Sequence, residues 1–257
     1  MYFNNLLAGV VLAVAVMPLT AGPAEAAEVS VVIGMSLAPY VIAGEKRGME
    51  YDIVKEALAV EGHAMVPQYV PFGRVAKVIE MGRADAAMTQ RVETGAATNF
   101  SDPYIAYRNY AITLASRNIR IERIEDLAGK SILAFQNAQI YLGPSYKAAI
   151  ADNPTYREEA KQVSQPILLY LGRIDVVVAD RNIFSWFSRT PEVSSKVDTS
   201  QPVRHHPLFA PTEYRMAFRD PGLRDSFNRG LAKLRESGEY ARIVARYSPL
   251  MSEEITQ

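Results

Sequence analysis

Two similar α/β lobes are what this sequence predicts, and three observations carry the prediction. Apolar strands alternate with short helices from Glu28 to Met88; the same order restarts at Ser131; and the segment that closes the first unit recurs at the close of the second. Strand–helix alternation favours parallel pairing, because parallel strands need a long crossover and a helix supplies it.

Glu28 to Gly34 (EVSVVIG) alternates as a strand entering a core. Ser36 to Tyr40 follows as a loop. Gly48 precedes a helix whose stripe is Ile53, Val54, Ala57 and Leu58, with Gly62 as its stop residue. Met65 to Val70 is the second strand. A short helix carries Val75, Val78 and Ile79 and ends near Gly82, and Ala84 to Met88 is the third strand. In the second unit, Ile124 to Lys130 turns into a strand over Ser131 to Phe135, and a helix follows from about Tyr141. Ser164 suits a helix start, with Pro166 tolerated in the first turn, and the strand from Ile174 to Val178 runs on to Asp180. The recurring segment is Met81-Gly82-Arg83-Ala84-Asp85 through Gln90, echoed by Leu171-Gly172-Arg173-Ile174-Asp175 through Asp180. At the C-terminal end, Leu223, Phe227, Leu231 and Leu234 make one helical stripe. Gly238 breaks it, and Tyr240, Ile243, Val244 and Tyr247 make another.

Composition narrows the function. Of 257 residues, 49% are apolar and 22% charged, enough apolar surface to offset chain entropy. Basic and acidic residues number 28 each, so a nucleic-acid surface built on excess Lys and Arg is not expected. There is no cysteine, which removes thiol nucleophiles, disulfides, Cys-based metal sites and a lipid-modified N-terminal Cys. His205 and His206 are adjacent, a poor metal clamp, and are read as loop; no metal and no cofactor are expected. Leu6 to Leu19 is an apolar run followed by Ala24-Glu25-Ala26, which reads as a secretory signal peptide over residues 1–26 cleaved near Ala26/Ala27. The run is shorter than a comfortable membrane span. An exported, Cys-free chain points to the periplasm.

Taken in order, several short motifs resemble the extracellular solute-binding protein family 3, the type II periplasmic binding proteins. They are Gly48-x-x-x-Asp52-Ile53, Gly82-Arg83-x-Asp85, Asn99-Phe100-Ser101-Asp102-Pro103-Tyr104, Asp126-Leu127-x-Gly129-Lys130, Gly172-Arg173-Ile174-Asp175 and Leu234-x-x-x-Gly238-x-Tyr240-x-x-Ile243. The resemblance implies a two-lobed fold, each lobe a mostly parallel sheet flanked by helices, joined by two hinge crossings. Lobe 1 would hold residues 27–114 and 213–257, lobe 2 residues 119–208, and the hinges residues 115–118 and 209–212. It also implies a monomer that captures a small polar solute, amino-acid-like or a small organic anion, and delivers it to ABC-transporter membrane subunits without chemistry.

Ligands of parallel α/β sheets sit beyond the C-terminal strand ends. That rule selects Tyr40 after the first strand, Thr89, Gln90 and Arg91 after the third, and Gln136, Asn137 and then Asp180 in the second unit. By the echo, Gln90 and Asp180 are counterparts facing one another across the cleft. Two roles suit Asp180: holding a ligand ammonium, as the Asp at this position does in amino-acid-binding relatives, or capping the helix that follows. Those relatives carry a carboxylate-binding Arg where this chain has Thr94, in a segment about three residues shorter. Arg91 either replaces it or pairs with Glu93 at the surface. Gln136 and Asn137 stand where many relatives have a Gly-Ser/Thr pair at a helix start, a position able to offer N–H groups to an anion. Tyr40 is an aromatic wall or a core-edge ring. Arg74 begins a helix, where a cation opposes the dipole. Glu158-Glu159 reads as solvated charge. Two other readings remain at this level: an accessory or receptor protein for a periplasmic sensor or redox enzyme, and a dehydratase-like enzyme on the same scaffold with Asp180 as its acid.

Overall fold

Ala27–Gly34 forms β1, with Val31, Val32 and Ile33 fully buried, so both of its faces are covered, as in an interior strand of a parallel sheet, where alternation predicted one. The computed structural model describes residues 26–35, 37–94 and 99–250. Apart from Ala26, the expected leader lies outside the described residues, as does Ser36. Helix α1 (Met49–Val60) buries its expected stripe and leads to β2 (His63–Val70), which pairs parallel with β1 over eight residues. Helix α2 (Val75–Glu80) returns the chain to β3 (Ala86–Gln90), parallel on the other side of β1. Next come β4 (Asn99–Phe100), β5 (Ile105–Tyr107) and β6 (Asn109–Leu114). The second unit runs β7 (Ile132–Phe135), α3 (Ala138–Tyr141), α4 (Gly143–Ile150), β8 (Tyr156–Glu159), α5 (Ser164–Tyr170) and β9 (Val176–Asp180). It ends with α6 (Arg181–Ser188), α7 (Pro191–Ser194) and β10 (Val203–His206). Finally β11 (Thr212–Phe218), α8 (Pro221–Glu236) and α9 (Glu239–Tyr247) return to the first unit.

Two sheets result. One has the order β2-β1-β3-β11-β4 with β5 beside β11; the other is β10-β6-β9-β7-β8. Strand β11 runs antiparallel to β3, and β6 antiparallel to β9 and β10, so each sheet is parallel except where the chain passes from one lobe to the other.

The echo is a repeat in three dimensions. Gly82 and Gly172 both take left-handed φ (68° and 66°), the conformation that stops a helix cheaply only at glycine. Arg83 N then donates to Val78 O, and Arg173 N to Leu168 O. Asp85 Oδ2 accepts from Ser30 N at 2.9 Å and from Ser30 Oγ at 2.5 Å, while Asp175 Oδ2 accepts from Ser131 N at 2.9 Å and Ser131 Oγ at 2.8 Å. Each Asp thereby clasps the neighbouring parallel strand, β1 at Ser30 in its middle and β7 at Ser131 just before it, which fixes the register of β3 on β1 and of β9 on β7.

Three expectations need correction. Asn109–Leu114 pairs with β9 and β10 in the second sheet, so the first sheet change lies between Tyr107 and Asn109, not at 115–118. Its burial on both faces suits an interior strand of either sheet, and only the non-local pairing decides. The chain changes sheet again between His206 and Thr212. His205 and His206 lie in strand β10, not in a loop; His206 is held by Thr113 Oγ1 and Ile121 O. Tyr156–Glu159, which holds the Glu158-Glu159 pair read as solvated charge, is edge strand β8.

Candidate functional site

The C-terminal ends of β1, β3, β7 and β9 meet between the sheets, and tyrosines fill the space. Tyr40, on the loop after β1, stacks on Tyr107 with ring centroids 3.9 Å apart and planes 17° from parallel. Tyr107 packs edge-on to Tyr214, and Tyr141 of lobe 2 packs against both Tyr214 and Phe72. Such pairs contribute roughly 0.5–1.5 kcal/mol each beyond the area they bury. One continuous core therefore crosses from lobe to lobe.

Two buried carboxylates flank the Tyr40–Tyr107 stack. Asp180 ends β9 and is 2% exposed. Its Oδ1 accepts from Asn182 N (2.9 Å) and Ile183 N (3.0 Å), capping α6; its Oδ2 accepts from Arg108 N (2.8 Å) and Tyr40 OH (3.2 Å). The capping role is thus occupied, and the same carboxylate also reaches the lobe junction through Tyr40. Asn182 Nδ2 donates to Tyr40 OH at 3.0 Å. Burial pushes the Asp180 carboxyl up to about 6 against the pull of these donors, so at neutral pH it is mostly ionised. On the far side of the stack is Glu50, in the first turn of α1 and fully buried. It accepts hydrogen bonds from Thr89 Oγ1 at 2.6 Å and from the hydroxyls of Tyr104 and Tyr107. Burial raises its pKa while the three donors oppose the rise. Tyr40, Tyr104 and Tyr107 are held well above the ordinary phenol value, first by burial and then by these acids, so they remain donors.

The other selected positions serve the fold and the junction. Thr89 adopts φ 58° and spends its hydroxyl on Glu50. Gln90 turns its amide back on its own strand. Its Nε2 donates to Met88 O and Thr89 O, and its Oε1 is buried without a partner. The echo ends at this step because the strand leaves β geometry at Thr89, whereas β9 stays extended through Asp180. Arg91 donates to Tyr141 O across the junction and pairs with Glu93 at 3.2 Å. Gln136 Oε1 accepts from Gly73 N at 2.9 Å, a second bond between the lobes. Arg74 ends the short turn that presents this amide and is exposed. Asn137 takes φ 66° and donates its backbone N–H to Glu158 Oε2 at 2.6 Å; Gln139 N donates to Glu158 Oε1 at 3.1 Å, and Tyr156 OH to the same oxygen at 2.7 Å. Glu158 is therefore not solvated charge: it holds the start of α3.

Two cavities border the junction. The inner one, about 20 Å³, is lined by Asp180 with Asn109, Gln136 and Gln162 and by the rings of Phe72, Tyr107 and Tyr214. It has room for about one water. The outer one, about 760 Å³, lies along the second sheet change at Leu208–Glu213 and is lined by Arg91, Glu93, Tyr141 and Arg215. The sequence reading missed Glu50, Tyr107, Tyr141, Tyr214 and Glu158. Glu50 sits inside the Gly48-to-Asp52 motif, the one signal that marked its neighbourhood.

A family model described as bacterial extracellular solute-binding proteins, family 3, matches residues 29–249. No curated protein matches the chain. Among solved structures, an amino acid ABC transporter substrate-binding protein from Streptococcus pneumoniae bound to L-arginine is 20% identical. It covers 88% of this chain and 97% of its own, with a TM-score of 0.67. The arginine-, lysine-, histidine-binding protein ArtJ from Geobacillus stearothermophilus is 18% identical over 88% of this chain and 97% of its own, TM-score 0.70. A histidine kinase sensor domain with similarity to periplasmic binding proteins is 17% identical over 89% and 99%, TM-score 0.73. At these identities the likeness is one of fold: two sheets flanked by helices, the type II arrangement.

Proposed function

Because the chain belongs to the bacterial extracellular solute-binding proteins, family 3, we propose that it captures a small polar solute between its lobes in the periplasm, after loss of residues 1–26, and delivers it to ABC-transporter membrane subunits. The observation that supports this most is the position of Asp180. A buried carboxylate at a strand end, hydrogen-bonded across the lobe junction to Tyr40, lies where strand-end geometry places ligands. The inner cavity is too small for a solute as it stands, so binding requires the lobes to part and re-form around it. The contacts that must yield are Tyr40 to Asp180, Gly73 to Gln136 and Arg91 to Tyr141.

The test is a thermal-shift panel on the refolded mature chain, covering amino acids, polyamines, small carboxylates, sugars and phosphorylated solutes. A solute at about 100 times its dissociation constant stabilises the native state by roughly 2.7 kcal/mol, well within reach of the assay. The expected result is a selective rise in Tm with the compound recovered unchanged. A panel flat throughout overturns the reading. A compound recovered altered replaces binding with catalysis.

A further inference from the structure

At the start of α3 the backbone amides are already taken by one of the chain's own carboxylates, while the buried acid at the end of β9 is matched by no cation among the described residues. At the start of α3, Asn137 N and Gln139 N both donate to Glu158, whose remaining reach is met by Tyr156 OH. A second carboxylate brought to these amides would displace Glu158 or meet its charge directly, and like charges at contact distance repel. Arg91 turns away from the inner cavity: it lines the outer one, tied to Tyr141 O and Glu93. The lining of the inner cavity includes no Lys, Arg or His among the described residues.

What the inner cavity does offer is an acid, amides and ring faces. Asp180 is buried, ionised at neutral pH and has no ion pair with a Lys, Arg or His among the described residues. A buried carboxylate without a counter-charge is costly, and a cation that reaches it recovers that cost. The rings of Phe72, Tyr107 and Tyr214 line the same cavity, and aromatic rings hold ammonium groups in other recognition sites. Asn109, Gln136 and Gln162 add neutral amide groups along the same wall.

Resting on the solute-binding reading above, we propose that the solute is a small organic amine without an α-carboxylate. Its ammonium is held by Asp180 and the surrounding rings, and Glu158 excludes the amino acid from which such an amine derives.

The experiment pairs amines with their carboxylated parents: agmatine with arginine, putrescine with ornithine, histamine with histidine and tyramine with tyrosine. Each is titrated calorimetrically into the mature chain, into Glu158→Ala and into Glu158→Gln. The second variant keeps the side chain's size and one acceptor oxygen, and far-UV circular dichroism with a melt verifies the fold of both. The expected result is at least one amine that binds about tenfold or more tighter than its parent, with the ratio falling several-fold in both variants as the α3 amides lose their resident charge. A parent that binds tighter than its amine overturns the proposal and leaves the solute-binding reading standing. So does an unchanged ratio in variants that fold. If none of the eight binds while the wider panel yields a sugar or carboxylate, the amine class falls alone; if the panel is flat as well, both fall.

Discussion

Replacing Asp180 with Asn tests the burial of its charge. The native carboxyl is pushed from the ordinary value of 3.8 to about 6, first by desolvation. The native state thus holds that proton more tightly than the unfolded chain does. The resulting stabilisation is complete below about pH 4 and is lost as pH rises through about 6. At about 1.4 kcal/mol per pH unit, the interval is worth about 3 kcal/mol. The substituted asparagine does not titrate, yet its oxygen can still accept from Asn182 N and Ile183 N. The penalty of placing its amide against Arg108 N does not depend on pH and cancels from the comparison. Urea denaturation of both proteins at pH 4, 5, 6 and 7 gives the difference in stability. It should move in favour of Asp180→Asn by about 2 kcal/mol from pH 4 to pH 7, most of the full interval. A difference that stays flat, or moves in favour of the wild type as pH rises, would mean that Asp180 is solvated or paired with a cation, and the electrostatic argument would fail.

Three further outcomes are expected. Glu50→Ala strands the hydroxyls of Thr89, Tyr104 and Tyr107 in a dry core and should cost more than about 3 kcal/mol in urea melts, whereas Glu50→Gln, which keeps an acceptor, should cost much less. Gly230→Ala places a Cβ 2.0 Å from Ala57 O where α8 crosses α1, so it should lower stability by about 2 kcal/mol or more, read by the same melts. Asp175→Ala should cost more than Asp85→Ala, each about 1–3 kcal/mol. Both lose the serine clasp, but Asp175 is less exposed and pairs with Arg117 at 2.7 Å, against 4.0 Å from Arg219 to Asp85.

What the sequence made legible was chemistry that acts locally. The glycines that stop α2 and α5, and the aspartates that clasp the next strand, work within a few residues or on one neighbouring strand, so their spacing survives as a readable pattern. The strand-end rule likewise brought Tyr40 and Asp180 to one hydrogen bond although they are 140 residues apart. The sheet that Asn109–Leu114 joins was not legible, because an apolar strand fits either sheet and only distant partners choose. Strand β8 was hidden by its charges: YREE has no apolar alternation, since it is an edge strand whose Glu158 is spent on α3. Glu50 was hidden by its setting, for an acid in a first helical turn is ordinary at a solvated surface. Its three partners lie 39 to 57 residues away, and the burial that makes it unusual exists only once they arrive.

Under the proposed function, a solute draws the two lobes together at Tyr40, Asp180 and Gln136. A chain without cysteine allows a direct measurement. Exposed Arg74 in lobe 1 and exposed Lys161 in lobe 2 are replaced by Cys, spin-labelled, and the distance distribution is recorded while the solute found in the thermal panel is titrated. The expected result is a saturable shift toward one narrow, short-distance population at the same concentration that stabilises the protein. A solute that binds and stabilises while the inter-lobe distribution stays unchanged would contradict it.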